Sequence, residues 1–303
     1  MTNEQRIKNL SVPCGKVDVV LDTDAYNEVD DQFAIAYLLK SKNKLNTVAI
    51  YAAPFLNEKS VSLADGMEKS YNEIFKVLEL ANEKAAVLKG STQYLENETI
   101  PVISDAAHDL AERVKKYSPE NPLYVVAIGA ITNVASAILI NPEVAENTVV
   151  IWLGGHALHF HHTKEFNMYQ DIAAARVVMK SGVPFVQLPC MGVVDKFAVS
   201  KPELEYWLKG KNELANYLAE NVIAEAESYA KGTAWTRVIW DVTAVAWLLN
   251  DGMRFMQERI ITTPLPTYDN LYATDYSGYP MKYVFNINRD NLMTDLFKKL
   301  INE

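Results

Sequence analysis

The 303-residue chain has little of what marks disulfide-stabilised, nucleic-acid-binding or membrane-anchored proteins. Its two cysteines, Cys14 and Cys190, are too few for a disulfide framework and favour a reducing compartment. Positive charge is scarce too, because 29 Lys and Arg stand against 38 Asp and Glu, for a formal net charge of -9. Nucleic-acid binding requires clustered cations, so we expect no nucleic-acid partner.

A targeting segment and a membrane span are likewise not indicated. Residues 1–10 are polar and mixed in charge, and they lack the apolar core of a signal peptide. The uncharged stretch 123–140 carries polar residues near its middle, which favours a buried strand, a turn and a buried helix over a bilayer helix. We therefore expect a cytoplasmic protein without membrane contact.

Apolar runs alternate with helical patterns through the first two thirds of the chain. The patterns predict strands at 16–21, 47–53, 123–128, 148–153 and 185–188, and helices at 30–40, 59–81, 133–139 and 171–180. This alternation is typical of an α/β protein. We expect an open, mostly parallel (mixed) sheet with helices on both faces, in a Rossmann-like arrangement.

The last third of the chain is mostly helical in pattern. Helices are predicted at 202–208, 213–229 and 242–249, and two short strands near 259–262 and 282–287 are predicted to pair as a ribbon. No repeat or linker interrupts the chain. The sequence therefore predicts a single domain over residues 1–303, with a helical elaboration in its C-terminal third.

Four aspartates lie within ten residues at the predicted end of the first strand. Asp22 and Asp24 follow the strand, and Asp30 and Asp31 open the next helix. Ligands of open α/β sheets bind beyond the carboxyl ends of the strands. Ionised carboxylates this close repel one another, so protons or a cation must neutralise them, and oxygen ligands suit a hard divalent cation. The cluster therefore predicts a metal site.

Two other interpretations of this cluster remain open. Asp30 or Asp31 alone would serve as a helix N-cap, although a cap needs only one acceptor. A strand-end Asp-x-Asp pair is also found in phosphatases whose nucleophile is an aspartate. Those enzymes usually place Thr, Val or Gly soon after the pair, whereas Ala25, Tyr26 and Asn27 follow it here.

The Asp cluster resembles that of the nucleoside hydrolases, specifically the inosine/uridine-preferring kind. That family carries Asp-x-Asp-x-x-x-Asp-Asp at the end of the first strand, usually with Pro-Gly after the second Asp. In this chain the spacer between Asp24 and Asp30 has five residues, lacks Pro-Gly and contains a further carboxylate, Glu28. The pattern is similar to a divergent branch with a lengthened loop.

Four later segments resemble the same family and occur in the expected order. Residues 128–135 resemble its Gly-Pro-Leu-Thr-Asn segment, and residues 152–155 resemble its glycine-rich strand end. Residues 165–167 resemble the family's Glu-Phe-Asn segment, which holds the ribose, and Trp240-Asp241 stands where the family often has His-Asp before a late helix. The resemblance covers about residues 16–250.

The resemblance implies hydrolysis of the N-glycosidic bond of a ribonucleoside to free base and ribose, with Ca²⁺ as cofactor. Calcium would hold and activate the attacking water, and the transition state would resemble an oxocarbenium ion. The resemblance implies Asp24 as general base and calcium ligand, with the carboxylates of Asp31 and Asp241 and the carbonyl of Thr132 as further ligands. It implies that Asp22 orients the cluster. The ribose-binding residues that it implies are Asp30, Asn57, Glu165 and Asn167. Relatives are commonly homodimers or homotetramers, so the same is expected here.

Help for the departing base is where the chain differs from the family. Trp240 replaces the His with which many members protonate the base, and an indole delivers no proton at neutral pH. Trp240 can instead stack on a purine, which predicts a purine preference and a role in purine salvage. The alternative is that Trp240 merely packs in the core.

Four histidines, His156, His159, His161 and His162, follow the predicted turn at 154–155. An imidazole with a pKa near 6.5 suits acid chemistry at neutral pH, and His159 is assigned here as a substrate-binding candidate. The altered loop and Trp240 also leave open a nucleoside- or ribose-binding protein without turnover.

Overall fold

Strands and helices alternate along the chain in the computed structural model, which describes residues 1–273 and 278–301. The strands are β1 (Val17–Thr23), β2 (Leu45–Ala52), β3 (Val87–Lys89), β4 (Leu123–Ala127), β5 (Thr148–Leu153), β6 (Phe185–Leu188), β7 (Ala198–Ser200), β8 (Thr236–Val238), β9 (Met256–Thr262), β10 (Leu265–Pro266), β11 (Tyr272–Ala273) and β12 (Pro280–Ile287). The helices are α1 (Asn3–Asn9), α2 (Asp31–Leu39), α3 (Leu63–Leu80), α4 (Asp105–Arg113), α5 (Thr132–Ile140), α6 (Glu143–Asn147), α7 (Phe166–Gln170), α8 (Ile172–Lys180), α9 (Lys201–Trp207), α10 (Glu213–Ala230), α11 (Val242–Trp247) and α12 (Arg289–Ile301).

One eight-stranded sheet, in the order β3-β2-β1-β4-β5-β6-β12-β9, organises the molecule. All neighbouring strands pair in parallel except β9, which runs antiparallel to β12 at the edge. The chain leaves β1 toward β2 on one side and returns through β4 on the other. The carboxyl end of β1 is therefore a topological switch point, where open α/β sheets form their ligand-binding crevice. The predicted mostly parallel sheet is confirmed.

Apolar side chains are buried on both faces of this sheet. Along β1, Val19 and Leu21 belong to one apolar cluster and Val20 belongs to the other, as the two-residue period of a strand requires. Helices α2, α3, α11 and α12 contribute to the first cluster, and α4, α5 and α8 contribute to the second. Because both faces are covered, the strands are continuous apolar runs in the sequence.

Helix α2 is buried along its whole length, from Asp31 to Leu39. It packs against α3, α11 and α12, so a one-sided apolar stripe would not suffice and every side faces protein. The consequence for the site is direct. A buried helix that starts with Asp31 carries the carboxylates at its N-terminus into the interior.

The structure differs from the sequence predictions in a few elements. Strands β9 and β12 pair antiparallel as predicted, but β12 also pairs with β6, so the two complete the main sheet instead of forming a separate ribbon. The helix predicted from residue 59 begins at Leu63, because the Ser62 side chain caps it by accepting a hydrogen bond from the Asp65 amide at 3.1 Å. Ten elements, most of them short, were not predicted: strands β3, β7, β8, β10 and β11 and helices α1, α4, α6, α7 and α12.

The uncharged stretch 123–140 folds as β4, a turn and α5, as predicted. Within the described residues, no helix has both the length and the apolar character needed to cross a bilayer.

Candidate active site

A cavity of about 200 Å³ lies at the carboxyl ends of β1, β4, β5 and β6. Of the residues predicted from the sequence, seven line it: Asp24, Asp30, Asp31, Glu165, Asn167, Trp240 and Asp241. Side chains separated by more than 200 positions in the chain thus meet at one place, as the strand-end rule predicts.

Three carboxylates form a compact group on one wall of the cavity. Asp30, Asp31 and Asp241 each offer an oxygen within 4.8 Å of the other two. They meet because α2 and α11 pack together and both helices begin at this point. Asp30 and Asp241 occupy N-cap positions, yet neither side chain makes a capping hydrogen bond. The helix-cap interpretation of Asp30 is therefore wrong, and these carboxylates remain available to a ligand.

Asp24 directly follows β1 and is 1% exposed. Both of its carboxylate oxygens are buried, and neither accepts a hydrogen bond from any described residue. Gly129, just after β4, packs against the carboxylate so closely that a Cβ there would lie 3.0 Å from Asp24 Oδ1. A buried carboxylate without partners is costly, so Asp24 requires a proton, a cation or a substrate group.

Burial is the largest cause of the pKa shifts in the cluster. Burial raises the pKa of Asp22 and of Asp31 to about 7. Burial, followed by a neighbouring carboxylate, raises the pKa of Asp24, Asp30 and Asp241 well above the usual range. A bound divalent cation is the largest local charge in such a site and reverses these shifts.

Asp22 and Thr132 lie beside the cluster and do not line the cavity. Asp22 Oδ1 accepts a hydrogen bond of 2.8 Å from the Asn133 side-chain amide, which fixes it on the sheet side of the cluster. The Thr132 hydroxyl donates to Asp171 Oδ2 at 2.7 Å. The orienting role of Asp22 and the metal-ligating role of the Thr132 carbonyl stay predictions.

The donor set fits a hard divalent cation. Every candidate ligand is an oxygen, as calcium and magnesium prefer. Two oxygens at about 2.3–2.6 Å from one ion are at most about 5 Å apart, which accommodates the 4.8 Å limit within the Asp30, Asp31 and Asp241 group. In the described part of the chain, no Lys or Arg forms an ion pair with the clustered aspartates. Their charge is therefore left for an ion to balance.

Glu165 and Asn167 line the cavity at the start of α7 and are held rigidly. The Glu165 carboxylate accepts hydrogen bonds from the amides of Gly155, Asn167 and Met168 at 2.7, 2.8 and 3.0 Å, while burial raises its pKa to about 7. The Asn167 side-chain amide donates to the backbone carbonyls that follow β4 and end β5, at 3.1 and 3.0 Å. Both side chains thus face a ligand in fixed positions.

The remaining predicted residues are placed differently. Trp240 lines the cavity and also packs against the main apolar cluster. Its position is therefore compatible both with stacking on a base and with packing in the core. Asn57 does not line the cavity, but its amide donates to Asn27 Oδ1 at 2.6 Å, and Asn27 does. His159 is exposed in a separate depression, whereas His156 is buried in the cavity wall.

Sequence reasoning missed several lining residues. Cys190 and Met191 follow β6. Because ligands of open α/β sheets bind beyond the carboxyl ends of the strands, the predicted end of this strand indicates both residues as candidates. Asn27 and Glu28 belong to the lengthened loop, whose path has no counterpart in the family pattern. Choosing His156 over His159 required the tertiary structure, because all four histidines stand in one short loop.

The raised pKa values predict how stability depends on pH. Asp22, Asp31 and Glu165 have folded-state pKa values near 7, whereas the unfolded values are 3.8 for Asp and 4.5 for Glu. Between those pH values the native state therefore binds more protons than the unfolded state. Stability should therefore be highest below that window and fall as the pH rises through it. We expect metal-free protein to melt at a lower temperature at about pH 8 than at about pH 5.5.

Calorimetry with a chelator, and again with saturating calcium, measures this effect. Calcium binds ionised carboxylates, so it should remove most of the difference between the two pH values. A metal-free protein that is more stable at the higher pH would contradict the derived linkage.

Comparison with known proteins identifies the family. Residues 19–274 match the family described as inosine-uridine preferring nucleoside hydrolase. The pyrimidine-specific ribonucleoside hydrolase RihA of Citrobacter koseri is 30% identical over 159 residues, which cover 50% of this chain and 50% of that protein. RihA of Shigella boydii serotype 4 is 26% identical over 298 residues, covering 85% of this chain and 90% of that protein.

Solved structures show the same fold. A plant nucleoside hydrolase superposes with a TM-score of 0.75 at 20% identity, covering 95% of this chain and 99% of that one. A purine-preferring ribonucleoside hydrolase from Gardnerella vaginalis superposes with a TM-score of 0.76 at 18% identity, covering 93% and 98%. The family match spans most of the chain and contains the whole Asp cluster. The chain therefore belongs to the inosine-uridine preferring nucleoside hydrolase family, whose members hydrolyse the N-glycosidic bond of ribonucleosides.

Proposed function

We propose that this chain is a calcium-dependent ribonucleoside hydrolase in which Asp24 is the general base. The observation that carries the proposal is the buried Asp24 carboxylate, which has no hydrogen-bond partner among the described residues and lines the cavity beside the Asp30, Asp31 and Asp241 group. A carboxylate used for folding would be hydrogen-bonded or paired. One without partners at a cavity wall is placed to act on a ligand.

In this mechanism Asp31 and Asp241, which belong to the group of oxygens within 4.8 Å, would hold calcium together with Asp24 and the Thr132 carbonyl, which lie outside that group. The ion would supply a bound water of lowered pKa. Asp24 takes the proton of that water, and it can do so only when ionised. Its pKa is raised by burial and by Asp31, so Asp24 acts as a base only when the charge of the cluster is balanced. Base activity and cation binding are thus linked.

The cavity is also suited to the charge that develops on the sugar. Six carboxylates line it, from Asp24, Glu28, Asp30, Asp31, Glu165 and Asp241. Cleavage of a ribosyl C–N bond builds positive charge on the ribose, and fixed negative groups around it stabilise that transition state. Asp30, Glu165 and Asn167 are proposed to hold ribose hydroxyls, which positions the anomeric carbon for the water.

Base preference is proposed to depend on Trp240. Relatives of this chain differ in base preference, since RihA is pyrimidine-specific and the Gardnerella enzyme is purine-preferring. Stacking on an aromatic side chain contributes ~1–3 kcal/mol per base in nucleic-acid complexes, or roughly 5–150-fold. We expect Trp240→Ala to lower kcat/KM for inosine by an amount in this range and to lower it less for uridine, because a purine has the larger face.

Trp207→Ala is a matched control for that comparison. Trp207 is also a partly buried tryptophan packed against the main apolar cluster, but it stacks on Phe297 and does not line the cavity. It should lower stability without changing the ratio of the two kcat/KM values. Equal losses on inosine and uridine in folded Trp240→Ala would leave packing as the role of Trp240.

Three further expectations are part of the proposal. The scarcity of cysteine supports a cytoplasmic protein, and stacking at Trp240 supports a place in purine salvage. Homodimers or homotetramers are proposed from the resemblance, and light scattering on the purified protein measures the assembly directly.

Incubation with inosine and with uridine, with detection of free base and free ribose, tests the proposed activity. Equimolar base and ribose are expected. Saturable nucleoside binding without products would support the binding-protein alternative. Release of inorganic phosphate from a phosphate ester, with magnesium and a covalent aspartyl-phosphate, would support the phosphatase alternative. Either of those results without base release would overturn the proposal.

A further inference from the structure

An ion pair ties the lengthened loop to β8, outside the cavity lining. Glu28 Oε2 in the loop pairs with Arg237 Nη2 on β8. Arg237 Nε also donates to Glu225 Oε2 on α10, at 2.9 Å. Glu28 itself lines the cavity and stands two residues before Asp30. One guanidinium therefore links the loop, α10 and β8.

The other contacts of this loop hold its first half. The carbonyl of Ala25 accepts a hydrogen bond of 2.9 Å from the Gln32 side chain, and the Asn27 amide donates to the Asp24 carbonyl at 2.7 Å. At Glu28 the backbone contact is weaker, because Gln32 reaches its carbonyl only at 3.5 Å. Two contacts therefore hold the second half of the loop among the described residues: Val29 is buried in the main apolar cluster, and the Arg237 ion pair fixes the Glu28 side chain.

We propose that Arg237, acting through Glu28, is a positioning residue that holds Asp30 where it faces the cation and the ribose. The inference rests on the proposed function and assigns a purpose to the two extra residues of the loop. A five-residue loop has more conformational freedom than a three-residue one, so an additional contact helps to restrict it.

The chemistry of Arg237 suits this role. Its side chain is 15% exposed, and its planar guanidinium engages two carboxylates at once, which a lysine cannot reproduce. The outer pair of the same network, Lys59 with Glu225 at 3.2 Å, is 32% exposed at the lysine, and exposed pairs contribute little. Lys59 therefore offers a matched control at the far end of the network.

A positioning role of Arg237 and a through-space electrostatic effect of its charge predict opposite changes in calcium affinity when Arg237 is replaced. The positive charge of Arg237 opposes cation binding nearby, so removing the charge alone would tighten calcium binding. Loss of positioning would weaken it. We expect Arg237→Met to weaken calcium binding by about 10-fold, the low end of the range for lost outer contacts of metal sites, because Arg237 acts through Glu28 and not on a ligand directly. Lys59→Met should change it by less than about twofold.

Calorimetric titration of the folded protein with calcium measures this without relying on turnover, and the melting temperature of each variant reports folding. If Arg237→Met does not fold, Arg237→Lys replaces it. This variant keeps the charge but lacks the planar guanidinium fork, so positioning predicts an intermediate weakening and electrostatics predicts none. In Glu28→Gln/Arg237→Met the losses should not add, because both substitutions break one pair.

The outcomes separate this inference from the proposed function. A wild-type protein that binds no calcium overturns the proposed function and the inference with it. A wild-type protein that binds calcium, with Arg237→Met binding as tightly or more tightly, overturns the inference alone. Additive losses in the double variant would likewise show that Arg237 does not act through Glu28.

Discussion

Asp24→Asn is expected to lower kcat on a ribonucleoside by at least ~100-fold, the low end for losing a general base. Asparagine keeps the shape of the side chain but cannot take the proton of the attacking water. Both Asp24 oxygens are buried without partners among the described residues, so the folded state loses no hydrogen bond from the substitution. The uncharged side chain should even relieve repulsion in metal-free protein. Steady-state kinetics at saturating calcium, with melting temperatures, measure both effects.

Asp18→Asn provides the matched control for this substitution. Asp18 lies on the same strand, β1, but at its other end, where it accepts hydrogen bonds from Asn46 at 2.6 Å and Tyr117 at 2.8 Å. It is remote from the cavity, so kcat should stay near the wild-type value. Near wild-type turnover by Asp24→Asn at saturating calcium would remove Asp24 from the mechanism.

Asp241→Asn is expected to weaken calcium binding by at least ~100-fold, beyond the ~10–100-fold that loss of an outer contact costs. The substitution removes one of three charged oxygens that meet within 4.8 Å. Asp241 makes no capping hydrogen bond at the start of α11, so the helix should form normally. Calorimetric titration with calcium measures the affinity in folded protein.

Asp251→Asn is the control here. Asp251 lies just beyond the other end of α11 and pairs with Lys44 at 2.8 Å on the surface. Both variants lose one negative charge close to the same helix. Equal, small effects of the two substitutions would mean that Asp241 acts only through the overall charge and is not a ligand.

Much of the fold was predictable because the central strands are buried on both faces. Residues 148–153 and 185–188 were predicted with the bounds that β5 and β6 have. Parallel strands with covered faces are short, continuous apolar runs, and Gly154 and Pro189 mark the ends of these two runs sharply in the sequence. The position of β12 was harder, because joining β6 depends on packing between segments about 100 residues apart.

The candidate site was predictable where it follows strand ends and unpredictable where it depends on side-chain direction. Asp24, Asp31 and Asp241 were placed together because the sheet brings their backbone positions to one edge. The sequence alone left open whether Asp30 caps α2 or faces the cavity. The pair of Glu28 and Arg237 joins residues 209 positions apart, and no local pattern marks either as its partner.

The rate of ribose release at controlled free calcium tests the central claim most directly. Wild-type protein, inosine and uridine would be combined in calcium buffers that span the range from chelated to saturating. The account predicts almost no ribose without calcium, a saturable rise in rate with free calcium, and equimolar free base at every point. Ribose release that is independent of calcium, or no release at any calcium concentration, would contradict it.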